Sequence, residues 1–260
     1  MQRIYDKLNE MLENHQIGAS GVVIEGDPAL CPTGTKFLVN DAGELLAGNL
    51  NKNVLNSLQE DLLMSMRSKK PMTLTVAGGL KIFLNPLYPP TRLLILGGGH
   101  IALPLVKLGR LMDFQVTVVD DRPSFANPVR FGEADEVICE SFETVFPRVC
   151  IDQNTYVVIV TRGHRYDQLC VEAVLNTPVQ PAYIGMIGSR RKVAAIMDAL
   201  KENGTPEELL NKVYAPIGLD IGAQTPEEIA LSILAEIIMV EHYGKSNGLG
   251  TQARGKKSNG

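Results

Sequence analysis

The 260 residues are 45% hydrophobic and 21% charged, the balance of a globular protein with room for one domain and a smaller companion. A net charge of −4 argues against a general nucleic-acid binder, which needs a basic excess. No apolar run is long enough to span a bilayer, and residues 1–16 are polar rather than a secretion signal. Four widely spaced cysteines with no C-x-x-C pair suggest neither a zinc site nor a disulfide framework. A cytoplasmic, reduced protein without membrane or nucleic-acid partners is expected.

Residues 1–90 read as a small α+β domain. A helix-like opening leads into the strand-like runs GVVIEG, TKFLVN and LKIFLNPL, each bounded by Gly, Pro or Asn. Between the last two, Val54, Leu55, Leu58, Leu62 and Met66 fall near one face, which predicts a single helix over 53–66. NPLYPP, at 85–90, reads as a proline-rich joint.

From Thr91 the rhythm changes. The apolar runs RLLILG, QVTVVD, DEVICE, TYVVIV and AYIGMI alternate with helical stretches. Runs of this kind suit strands buried on both faces, and βαβ alternation implies a parallel sheet. Residues 91–243 are therefore expected to form an α/β, Rossmann-like doubly wound parallel sheet, with the smaller α+β domain before it. The last helix is expected from about Pro226 to Tyr243. Thr225, Pro226 and Glu228 form its start signal, and Ile229, Ala230, Ile233, Leu234, Ile237 and Ile238 its apolar stripe. That stripe suits a sheet or a second copy, so a homodimer stays open. Residues 244–260, rich in Gly, Ser, Lys and Asn, are expected to be a disordered tail.

Four stretches carry candidate ligand-binding residues. The first is Gly97-Gly98-Gly99-His100-Ile101-Ala102, a G-x-G-x-x-A turn between a strand and a helix. Its glycines permit a tight turn and close approach of backbone amides to a phosphate. Asp120 ends the next strand, where a dinucleotide-binding acid would meet a ribose hydroxyl; Arg122, two residues on, would suit a 2′-phosphate instead. The second is TRGHRYD, with Thr161, Arg162 and His164 at the end of a central strand; Asp167 is expected to cap the helix that follows. The third is Gly188-Ser189, opening a helix with Arg190, Arg191 and Lys192. Three cations beside the positive end of a helix dipole suit a bound anion. The fourth is Asp220, bracketed by Gly218 and Gly222. Of the cysteines, Cys139 and Cys170 are expected to be buried and Cys31, in a loop, to be accessible.

No catalytic or metal-binding set emerges. No Tyr is followed four residues later by Lys, and His164 is the one acid–base candidate. The residues thus leave open a carrier of a phosphate-bearing ligand, an NAD(P)-dependent oxidoreductase, and a nucleotide-binding regulatory protein.

Together, LLILGGGHIALPL, VTVVDDRP, VTRGHRYD, YIGMIGSRRK and APIGLDIGAQTPEEIALSILAEII resemble the XdhC/CoxI family of xanthine dehydrogenase accessory proteins over about residues 74–242. PTGTKFLV, at 32–39, is similar to an element of that family's N-terminal domain. The resemblance implies a Rossmann domain after a small N-terminal one, and a maturation factor more than an enzyme. It implies molybdenum cofactor (molybdopterin) as cargo, bound, protected during sulfuration and inserted into a molybdenum hydroxylase apoenzyme such as xanthine dehydrogenase. A cysteine desulfurase is the other implied partner. The chain departs from the family where LAGNLNKNVLNSL replaces a cysteine-containing glycine element, and where Ala77-Gly78-Gly79 replaces C-G-G.

Overall fold

The computed structural model describes residues 2–14, 16–26, 31–76 and 79–244. The chain divides into two units, Met1–Pro90 and Thr91–Gly260.

The first unit contains α1 (Gln2–Glu13), β1 (Gly18–Glu25), β2 (Lys36–Asn40), β3 (Leu45–Gly48), α2 (Lys52–Ser57), α3 (Gln59–Ser68), β4 (Met72–Val76) and β5 (Leu80–Leu87). Its sheet runs β3-β2-β1-β5-β4 with every pairing antiparallel. Alternation along β2 divides the interior. Phe37 and Val39 face a core shared with Leu58, Leu62 and Met66, whereas Leu38 packs with Met11 of α1. The single helix expected over 53–66 is two, α2 and α3, which meet at Leu58, where the backbone flattens to φ −95°, ψ −4°. That break seats the fully buried Leu58 against the sheet. The expected joint at 85–90 begins later, since Asn85, Pro86 and Leu87 pair with β1. Pro86 lies past the end of the β4 pairing at Leu84, where β5 has a strand neighbour on the β1 side alone. Cys31 corrects an expectation: it is 1% exposed, inside the core with Ala19 and Val23. Burial pushes its thiol pKa up, against lowering hydrogen bonds from Thr35 and the Asn51 backbone.

The second unit contains β6 (Arg92–Leu96), α4 (Ala102–Leu111), β7 (Gln115–Asp120), β8 (Glu136–Cys139), β9 (Thr155–Ile159), α5 (His164–Leu175), β10 (Tyr183–Met186), α6 (Arg190–Glu202), α7 (Glu207–Leu210), β11 (Val213–Tyr214) and α8 (Pro226–Tyr243). The strand order is β11-β10-β9-β6-β7-β8, all parallel. The chain starts in the middle, winds out to β8, crosses back, and winds out the other way. Both faces are covered. Leu93, Ile95, Val116 and Val118 pack under α4 and α8, and Leu94, Leu96, Val157 and Ile159 under α5 and α6. This two-sided burial is why the strands read as unbroken apolar runs, and the expected α/β class is borne out. Cys170 is buried, but Cys139, at the end of edge strand β8, is exposed rather than buried as expected.

Helix α8 begins as its residues dictate. The Thr225 hydroxyl accepts the Glu228 amide, and the Glu228 carboxylate accepts the Thr225 amide. Of the stretch expected to be a tail, Gly244 is the C-cap of α8 and residues 245–260 lie outside the described residues, as do Ala77 and Gly78. No helix among the described residues is long and apolar enough to cross a membrane.

Candidate functional site

In an open parallel sheet, ligands bind beyond the carboxyl ends of the strands where the winding reverses. Here that point lies between β6 and β9. The turn 97–101 leaves one strand and residues 160–163 leave the other.

The three glycines of this turn do different things. Gly97 has φ +117°, and a β-carbon on it would lie 2.4 Å from the Val160 carbonyl oxygen. A β-carbon on Gly98 would lie 2.4 Å from the Phe125 carbonyl oxygen. Gly99 faces open space, with no atom within 4 Å of such a carbon. The first two let the backbone pack; the third leaves room for a ligand. Among the described residues no side chain caps α4, and the first-turn amides of Ala102 and Leu103 (Pro104 has none) carry partial positive charge that favours an anion.

Asp120 is 2% exposed at the end of β7. Its Oδ1 accepts from the Arg122 amide (3.0 Å) and Nε (2.8 Å), and its Oδ2 from the Gly98 amide and Arg122 Nη2, both at 2.8 Å. Burial alone would raise its pKa. The hydrogen bonds from Arg122 and the two amides outweigh that and hold the carboxyl below the ordinary carboxylate range. Asp121 is likewise engaged, bidentate to Arg162 at 3.0 and 2.9 Å. Arg162 also donates to the Tyr166 hydroxyl at 3.0 Å.

Beside the crevice, Asp167 is fully buried. It does not cap α5, whose N-cap is Gly163. One of its oxygens accepts from the Thr161 hydroxyl and the other from Lys192, which ties the start of α5 to the start of α6. Lys192 is thus committed within the protein. Ser189 caps α6 by accepting the Lys192 amide at 3.3 Å. Arg190 and Arg191 are exposed and carry no ion pair among the described residues.

A cleft of about 320 Å³ opens beside the start of α6. It is lined by Ile187, Gly188, Arg190, the loop 216–223, Ile229 and Ser232. Asp220 and Arg190 therefore share a cleft, while Gly97, Gly98, Gly99, Asp120 and Arg122 gather at the switch point. His100 and His164 are exposed, each on the loop or helix start at the crevice. No group of three or more potential metal ligands is found among the described residues.

A family model described as the XdhC Rossmann domain matches residues 93–237. The chain belongs to the XdhC family. Its relatives include the uncharacterized protein YqeB of Escherichia coli, 31% identical over 166 residues, and, from Bacillus subtilis, a protein named as a probable xanthine dehydrogenase subunit, 30% identical over 162. These matches span 64% and 60% of this chain, but 30% and 45% of the relatives' own length. A crystal structure from Bacillus halodurans, described as a xanthine dehydrogenase, shares the fold. Its TM-score is 0.54 and its identity 19%, over 94% of this chain and 97% of that one.

Several contacts in this XdhC domain were not legible in the motifs. Arg130 donates to the carbonyls of Gly98 (3.3 Å) and Gly99 (3.4 Å), which braces the turn from behind. Phe125 lies under the Arg122 guanidinium, 3.6 Å from ring centroid to carbon. Glu236, 1% exposed, accepts from the Tyr183 hydroxyl (2.5 Å) and the Gly218 amide (2.9 Å), which anchors the Gly218 loop. Only Glu236 left a trace in the sequence, as a lone acid on the apolar face of α8.

The Asp120 clasp makes stability pH-dependent. A folded pKa below the unfolded value means the stabilisation is complete above about pH 4 and is lost as pH falls through the folded value. The melting temperature of wild type should exceed that of Asp120→Asn by a constant gap from neutral pH down to about 4, narrowing below it. A gap that already closes between about pH 7 and 5 would contradict the clasp.

Proposed function

We propose that this chain is an accessory protein that holds molybdenum cofactor and assists its sulfuration and insertion into a molybdenum hydroxylase of the xanthine dehydrogenase type. Family membership supports this reading, as does the naming of one relative as a probable xanthine dehydrogenase subunit. The observation that carries it is the uncapped start of α4 at the switch point, with Gly99 open to it. That arrangement suits the phosphate of a cargo molecule, and the described residues beside it assemble no acid–base pair.

The residues fit such a cargo. The α4 amides suit its phosphate. The neighbouring cleft offers Ile187 and Ile229 to a flat ring system and Arg190 to an anionic group. The protein's part is to bind, orient and shield, and it needs no nucleophile of its own. A cysteine desulfurase as sulfur donor and the apoenzyme as recipient are the partners this role requires, in the cytoplasm.

Reconstitution tests it. Protein loaded with molybdenum cofactor and mixed with a molybdenum-free hydroxylase apoenzyme should restore activity faster than free cofactor does. Arg190→Ala with Arg191→Ala should weaken cofactor retention about tenfold, the effect of losing roughly 1.4 kcal/mol of charge-assisted contact. Steady turnover of NAD or NADP with a small alcohol or acid, and no transfer of cofactor, would overturn the reading.

A further inference from the structure

A dinucleotide fold ordinarily uses the acid at the end of its second strand to accept hydrogen bonds from the ribose 2′-hydroxyl. That acid is present here as Asp120, but its two oxygens already accept four hydrogen bonds, three of them from Arg122. The neighbouring carboxylate offers no substitute, because Asp121 is held bidentate by Arg162. The clasp is seated. Arg122 lies flat on Phe125, its side chain 29% exposed, and Asp120 is almost wholly buried.

We propose that Arg122 is a specificity-determining residue: it fills the ribose seat on Asp120, so that the glycine turn accepts a phosphate ester but rejects a nucleotide with a free 2′-hydroxyl. A ribose would have to displace two charge-assisted guanidinium contacts to reach the carboxylate, and two neutral hydroxyl contacts do not replace them. Nor is Arg122 set to receive a 2′-phosphate. Its Nε and Nη2 edge, one of the two that grip an oxyanion bidentately, already faces Asp120, which also lends its negative charge to the place where a 2′-phosphate would sit. The inference rests on reading the turn 97–101 as a phosphate seat, and it is independent of which cargo the phosphate belongs to.

The test is a titration of NAD and NADP into wild type, Arg122→Ser, Arg122→Lys and the double variant Asp120→Asn with Arg122→Ser, each checked for a folded melting transition. Arg122→Ser should bind NAD about ten- to a hundredfold more tightly than wild type, the gain expected from freeing a carboxylate for a diol. Arg122→Lys, which can occupy one oxygen, should gain less, and the double variant should lose the gain. Three results would overturn the proposal: wild type binding NAD as tightly as Arg122→Ser; no variant binding NAD; or tight NADP binding by wild type that Arg122→Ser abolishes. Pterin-cofactor retention, measured on the same samples, separates the two readings. A gain in NAD affinity without cofactor retention keeps this inference and removes the cargo, whereas retention without any gain does the reverse.

Discussion

Gly97→Ala should destabilise the parallel-sheet unit by on the order of 3 kcal/mol, whereas Gly99→Ala should change its stability by less than about 1 kcal/mol. The two positions are two residues apart in one turn, and sequence gives them equal weight. At Gly97 a side chain meets both obstacles. A φ of +117° is a conformation that L-residues rarely adopt, and the added carbon would press on the Val160 carbonyl at 2.4 Å and the Thr161 α-carbon at 3.0 Å. Those atoms are backbone of the neighbouring loop, so relief means moving the exit of β9. At Gly99 φ is unremarkable and the added carbon touches nothing. Urea unfolding of the two variants beside wild type measures the difference. Equal losses would show that the turn is not packed as described.

The second large effect is expected at Lys192. Lys192→Met removes the counter-charge of Asp167, a carboxylate with no exposed surface, and should cost about 3 kcal/mol. The loss is that of an uncompensated buried charge rather than of the contact itself, so the double variant Lys192→Met with Asp167→Asn should recover much of it. The Thr161 hydroxyl remains as a partner for the neutral asparagine. Denaturant unfolding of both single variants and the double gives the coupling. Additive losses would contradict a buried pair.

Much of the fold was legible because two-sided burial writes itself as apolar runs. RLLILG, QVTVVD, DEVICE, TYVVIV and AYIGMI all became strands, and the capping box at Thr225 started α8 where its residue types require. Strands β3, β4 and β11 were not among the expected elements, although MTLTV of β4 alternates as a strand does. LLAG lacks β-branched residues, and Val213–Tyr214 is too short to carry a period. The break at Leu58 was hidden because both halves of the helix keep their apolar side inward.

The site was legible in position but not in wiring. G-x-G-x-x-A and the acid two dozen residues on mark the switch point, since that spacing follows from one βαβ unit. What the acid does depends on Arg122 folding back onto it, which no spacing rule encodes. Asp167 resembled a helix cap because Asp near a helix start usually is one. Its true partner, Lys192, comes from the next crossover. Cys31 looked accessible because its loop is rich in Pro and Gly, yet the chain folds it into the sheet's core. Arg190 and Asp220, thirty residues apart, meet at one cleft only because β10 and β11 are neighbours in the sheet.

Pterin fluorescence decides whether the turn holds the cargo's phosphate. Titrating molybdenum cofactor into wild type and into Gly99→Val, a variant whose added side chain meets open space, separates folding from binding. Wild type should show saturable binding, and Gly99→Val, with an unchanged melting temperature, should bind at least about tenfold more weakly, since its side chain occupies the approach to the α4 amides. Equal affinity in the two proteins would contradict a phosphate seat at this turn.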